Sequence, residues 1–157
     1  AKSLEHVRNI FLFGHSQGGV VASMIAGYYP EVFKKIILSA PAATLKDDAI
    51  KGECQGTTYD PVQIPDKIHV HEHTIGGFYF RIAQSLPIYE IASHYTREVL
   101  LLHGDSDPIV NKIASERYHD VYKNSELHIV KGADHGFGPS MQPEATQAAV
   151  DFFCKED

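Results

Sequence analysis

Cysteine is scarce in this sequence. Cys54 and Cys154 stand far apart and in no C-x-x-C spacing, which excludes a dense disulfide framework and a cysteine-based zinc knuckle. A reducing compartment fits that usage. Basic runs are lacking as well: 14 Lys and Arg face 20 Asp and Glu, the net charge is −6, and nothing longer than the pair Lys34-Lys35 occurs. Such a chain offers no positive footprint to nucleic acid. No uninterrupted apolar stretch approaches the roughly 18 residues that span a bilayer. The opening AKSLEHVRN is too polar for the core of a signal peptide. Internal repeats and low-complexity tracts are missing too. The expectation is a soluble chain with neither nucleic acid nor membrane among its partners.

What is present is a globular composition, 43% hydrophobic over 157 residues, enough for one core and short for two full domains. Continuous apolar runs at 9–14, 34–41, 97–105 and 125–132 read as strands buried on both faces. Between and after them, 18–29 carries apolar residues at helical spacing and stops at Pro30. The segment 111–124 is amphipathic, and 143–157 reads as a closing helix with Pro143 in its first turn. Alternating strand and helix predicts an α/β fold with a mostly parallel sheet flanked by helices. Residues 42–96 break the rhythm with a polar, turn-rich stretch. They read as a cap inserted into a core of 1–41 and 97–157, and insertions at strand ends sit over the ligand crevice of such sheets.

The stretch GHSQGG, residues 14–19, fits G-x-S-x-G between a strand and a helix, the setting in which a sharp turn presents a serine at the top of a sheet. Glycine at 14 and 18 lets the helix pack close, and the turn strains the serine backbone. The Gln17 N–H, at the start of the helix, is placed to donate to an oxyanion. Serine needs a base and the base needs a carboxylate. Asp105 and Asp107 follow a buried strand in LLLHGDSDPIV, and His135 follows the last strand in VKGADHGFG. Asp107 occupies the last place of H-G-x-x-D and is the preferred acid, with Asp105 as a turn residue. The predicted triad is Ser16, Asp107 and His135. The ordinary alternatives are a surface serine on a tight turn, an Asp at a helix cap and a solvated loop histidine.

Three further features invite weighing. In HVHEH, His69, His71 and His73 alternate and would share one face of a strand; they could bind zinc, but a solvated strand explains them and this chemistry needs no metal or other cofactor. His15 reads as a packing residue on the sheet side of the turn. The aromatic cluster GGFYF, 76–80, is either core or the lining of an acyl pocket.

The chain resembles the feruloyl (cinnamoyl) esterases of gut and rumen bacteria, within the α/β-hydrolase superfamily. The segments that carry the resemblance are GHSQGGVVASMIAGYYP, LSAPAATLKDDAIKGECQGTTYDP, GGFYFRIAQSLPIYE, LLHGDSDPIV and GADHGF. It implies the same triad and a cap that binds the aromatic acyl group, with Asp48, Gln55 and Tyr79 at the positions that meet the phenolic hydroxyl. The implied substrate is a small aromatic ester, hydrolysed through an acyl-enzyme in plant cell-wall degradation, and the implied setting is the bacterial cytoplasm; a homodimer is open. Against the family's pattern the chain reads as a C-terminal part, the first strands and the loop bearing the second oxyanion donor lying upstream. The alternatives are a general carboxylesterase, a serine peptidase-like hydrolase, and a catalytically silent binding protein on this scaffold.

Overall fold

The computed structural model describes residues 6–155. The chain divides into two compact units, one formed by 1–42 with 88–157 and the other by 43–87.

In chain order the first unit begins with strand β1 (Phe11–His15), helix α1 (Gln17–Tyr28) and strand β2 (Lys35–Ser39). The second unit follows with α2 (Leu45–Lys51), β3 (Glu53–Cys54), β4 (Thr57–Thr58), β5 (Lys67–Val70), β6 (His73–Gly76) and α3 (Gly77–Ala83). The chain then returns to the first unit through α4 (Ile88–Ala92), β7 (Glu98–Gly104), α5 (Ile113–Val121), β8 (Ser125–Val130) and α6 (Gly138–Cys154).

The sheet of the first unit has the order β1-β2-β7-β8 with every neighbouring pair parallel, as the alternation of strands and helices predicts. Every residue of β2 is buried. Its alternation sends Ile37 to one face, where it joins Leu100, Leu102, Val130, Phe137 and Phe152 beneath α6; Ile36 and Leu38, one residue out of step, point to the other. Truncating Leu100 or Leu102 to alanine would cost about 2–5 kcal/mol. On the helix side α1 meets β2 and α4, and Gly27 makes the approach feasible because a Cβ there would lie 2.0 Å from the Ile91 carbonyl oxygen. The sheet thus carries its helices with β1, β2 and β7 all ending on one edge, where connecting loops gather.

Two boundaries differ from the sequence reading. The insertion ends at Pro87 instead of 96, because Ile88–Ala92 forms a short helix whose Ile88 and Ala92 are buried. The last helix starts at Gly138, with a proline in its first turn and Pro143 in its interior. Phe137 causes the early start: it is buried in the core cluster with Met141 packed against it, and its left-handed φ of 65° turns the chain directly into the helix.

The second unit holds two antiparallel hairpins, β3-β4 and β5-β6, and its own small core of Ile68, Val70 and Phe80.

Candidate active site

The turn between β1 and α1 holds Ser16 at φ 55° and ψ −126°, a conformation that costs a non-glycine residue about 1–3 kcal/mol. Three hydrogen bonds hold it there. The Ser16 N–H donates to the Ser39 carbonyl at 2.9 Å, while the Ser16 carbonyl accepts from Gly19 at 2.9 Å and Ala42 at 3.0 Å. A Cβ on Gly14 would come within 2.3 Å of the Gly18 carbonyl oxygen, and one on Gly19 within 2.9 Å of Pro41 Cβ. Gly18, which the sequence reading paired with Gly14 for close packing, would meet nothing within 4 Å. Close packing therefore falls on Gly14 and Gly19.

Asp107 lies in the loop after β7 with its side chain 1% exposed. Its Oδ1 accepts from the N–H groups of Ile109 at 2.8 Å and Val110 at 2.9 Å, and its Oδ2 lies 2.7 Å from His135 Nδ1. Burial alone would raise the Asp107 pKa. The Val110 N–H, the His135 ring and the Ile109 N–H together outweigh it and hold the carboxyl below its ordinary value. His135 sits in the loop after β8, and its Nε2 is 2.9 Å from Ser16 Oγ.

Gly104 brings the two loops together, since a Cβ on it would lie 2.2 Å from the Ala133 carbonyl oxygen. The Ser106 N–H donates to that same carbonyl at 3.0 Å. Asp105, exposed, closes the seam by accepting the Gly132 N–H at 2.6 Å, which gives it the turn role expected of it. With Nδ1–H donated to Asp107, the His135 Nε2 lone pair faces the Ser16 hydroxyl, the arrangement in which imidazole can accept that proton. Gln17 is the first residue of α1, so its N–H has no intrahelical acceptor.

His15 is exposed and not packed away as the sequence reading had it. Its ring centroid lies 4.8 Å from that of His135 and its Nδ1 3.2 Å from Ser39 Oγ. Desolvation, and then the neighbouring His135, lower its pKa. The side-by-side imidazoles follow from the parallel strands and have no signal in the sequence.

The second unit contains the other predicted site residues. Asp48 on α2 has its pKa raised, chiefly by burial. Tyr79 on α3 packs edge-on against Phe80 at 5.1 Å, and burial followed by the charges of Cys54 and Asp48 raises its pKa. The structure thus brings Asp48 and Tyr79 into electrostatic reach. It also adds Tyr59, which lies 4.8 Å from Phe80 and has a pKa pushed up to about 12, mainly by burial. Gln55 is exposed in the turn of the β3-β4 hairpin, where it and Gly56 both take positive φ, 46° and 83°; that geometry is demanded by a two-residue turn.

The three alternating histidines do not share one strand face. His69 ends up in β5 and His73 in β6, and His71, with φ 51°, makes the turn between them. Among the described residues no group of three or more His, Cys, Asp or Glu side chains could hold a metal ion.

A model of the prolyl oligopeptidase family matches residues 3–156. The chain belongs to that family. Est1E from Butyrivibrio proteoclasticus superposes with a TM-score of 0.90 at 33% identity, over 97% of this chain and 63% of that one. Its structure with ferulic acid bound gives a TM-score of 0.91 at the same identity, over 97% of this chain and 61% of that one. The human serine hydrolase BPHL is 24% identical over 92% of this chain and 55% of its own length. The chain therefore spans a little over half of each relative. Its fold is a partial α/β-hydrolase fold, and it is an α/β hydrolase related to esterases and serine hydrolases. Among the described residues no helix is long and apolar enough to cross a membrane.

Proposed function

We propose that the protein is a serine esterase acting on hydroxycinnamate esters of the feruloyl type, working through Ser16, His135 and Asp107. The observation that carries this reading is the unbroken hydrogen-bonded line from Ser16 Oγ through the His135 ring to Asp107, at 2.9 and 2.7 Å. In the reaction, His135 Nε2 takes the Ser16 proton as Oγ attacks the ester carbonyl. Gln17 N–H helps to hold the resulting oxyanion, and the proton passes to the leaving alcohol as the acyl-enzyme forms. Water then repeats the sequence and releases the acid. Asp107 holds the tautomer and stabilises the imidazolium.

The aromatic preference is supported by the similarity to a protein whose structure contains ferulic acid and by the carboxylate and phenol groups of Asp48 and Tyr79, which suit a phenolic hydroxyl. Gln55 is carried with them from the resemblance alone. A cytoplasmic bacterial setting, an insertion serving as cap and a role in breaking down plant cell walls belong to the same reading.

The family description favours one rival, hydrolysis of peptides by the same triad. Rates on methyl ferulate, on short aliphatic esters and on proline-containing peptides separate the two. Ferulate release that Ser16→Ala abolishes is the expected result. Peptide cleavage without ester cleavage would replace the esterase reading, and failure of a fluorophosphonate to label Ser16 would leave a silent binding protein.

A further inference from the structure

The H-G-x-x-D stretch supplies a buried histidine, His103, that the mechanism above does not use. It is fully buried on β7, an environment that an imidazole enters only with its nitrogens satisfied. Its Nδ1 lies 2.7 Å from the hydroxyl of Ser115, itself fully buried on α5. Its Nε2 lies 3.0 Å from the Val110 carbonyl and 3.3 Å from Asp107 Oδ2.

The protonation state follows from these partners. A carbonyl and a carboxylate oxygen both accept, so Nε2 must carry the proton; Nδ1 then accepts from Ser115 Oγ. Burial lowers the pKa of His103, which keeps the ring neutral and in that tautomer.

Val110 links this ring to the acid a second time. Its carbonyl accepts from His103 while its N–H donates to Asp107 Oδ1 at 2.9 Å. We propose that His103 is a positioning residue for Asp107: its Nε2–H fixes the carboxylate directly and through the Val110 peptide, so that Oδ2 faces His135 Nδ1. The line of hydrogen bonds from Ser16 to Asp107 thereby extends through His103 to Ser115 on α5. This inference rests on the triad reading, and it concerns the orientation of the acid and not the substrate.

Asn and Gln at position 103 separate positioning from mere filling of space. Asn leaves a polar group near Nδ1 but removes the donor at Nε2, whereas Gln returns an amide N–H close to the Nε2 position. In the full protein, His103→Asn is expected to lower kcat on methyl ferulate by about 10- to 100-fold with KM little changed, the scale of a misaligned catalytic group, and His103→Gln to recover most of it. Equal losses in both variants, or a loss confined to KM, would overturn the proposal. A second readout needs no turnover. Imidazole NMR of the wild type is expected to show His103 protonated at Nε2 only, together with a downfield His135 Nδ1 proton that weakens in His103→Asn and survives in His103→Gln. An unchanged His135 signal in the Asn variant would refute positioning even if the esterase reading stood. Inactivity of the wild type on every ester would sink the esterase reading while these spectra still decided the role of His103.

Discussion

Replacing Asp107 by asparagine is the most informative single change, because it leaves the shape of the site intact and alters only what Oδ2 can do. Asparagine Oδ1 can still accept the Ile109 and Val110 N–H groups, now at 2.8 and 2.9 Å, so the loop keeps its anchors. The amide nitrogen in place of Oδ2 is a donor. It would face His135 Nδ1 at the present 2.7 Å and select the tautomer with Nε2 protonated, which cannot accept the Ser16 proton. Loss of the correct tautomer in a triad of this kind costs ~10⁴ in kcat, or ~5.4 kcal/mol of transition-state stabilisation. The assay is kcat and KM for methyl ferulate beside a thermal melt, with Asp105→Asn in parallel. The Asp105 carboxylate accepts the exposed Gly132 N–H at 2.6 Å and the Ser106 hydroxyl at 3.1 Å, and an asparagine oxygen can accept both bonds, so its variant should stay near wild-type rate. A folded Asp107→Asn protein within about tenfold of wild type, or equal losses at 105 and 107, would refute the assignment of the acid.

Gly14→Ala should abolish folding or cost at least ~3 kcal/mol by overpacking against the Gly18 carbonyl, whereas Gly18→Ala should leave Tm unchanged or raise it by the equivalent of ~0.4–1 kcal/mol; melts of both variants check the pair. Acid should destabilise the fold in two stages readable as Tm against pH. His103 has a folded pKa below its unfolded value, so as pH falls below about 6.5 the unfolded chain takes up a proton that the folded ring refuses. Stability is then lost until the folded pKa is reached. The carboxyl of Asp107 has a depressed folded pKa, so its contribution is present above about pH 3.9 and disappears as pH falls through the lower folded value. A flat Tm from pH 7 to 5 would count against the buried neutral His103. Asp48→Asn should reduce the preference for methyl ferulate over unhydroxylated methyl cinnamate by about 10-fold, the worth of a charge-assisted hydrogen bond, and an unchanged ratio would remove Asp48 from the phenol site.

The convergence of Ser16, His135 and Asp107 on one hydrogen-bonded line was legible in the sequence because each sits at the end of a strand that declares itself by a continuous apolar run: NIFLFG before Ser16, LLLHG before Asp107 and HIVKG before His135. Parallel order then brings those ends to one edge without further information. Errors arose where the deciding partner is remote or the signal short. Pro41, from the loop after β2, sets the demand on Gly19, and no local pattern could shift that demand from Gly18. Five residues, Ile88–Ala92, are too few to show a helical period, so the sequence carries no mark of the second unit's end at Pro87. Alternating histidines look alike on a strand and through a turn, and the positive φ of His71 is not a preference a histidine announces.

What positions the chemistry is a set of bonds between loops, each made feasible by a feature of strand ends. The Ser16 peptide is tied to Ser39 and Ala42, and the acid loop to Ala133 and Gly132 across the space left by Gly104. Asp107 is tied again from beneath by His103 and Val110. Ser16 is thus held by its own turn and β2, while His135 depends on the seam between the β7 and β8 loops. Changing Ser16 tests only whether a nucleophile is needed, because its removal leaves the other geometry standing. Changing Asp107 or His103 tests whether the seam delivers His135 in the tautomer that catalysis requires, and it is there that the fold commits the buried His103 and Ser115.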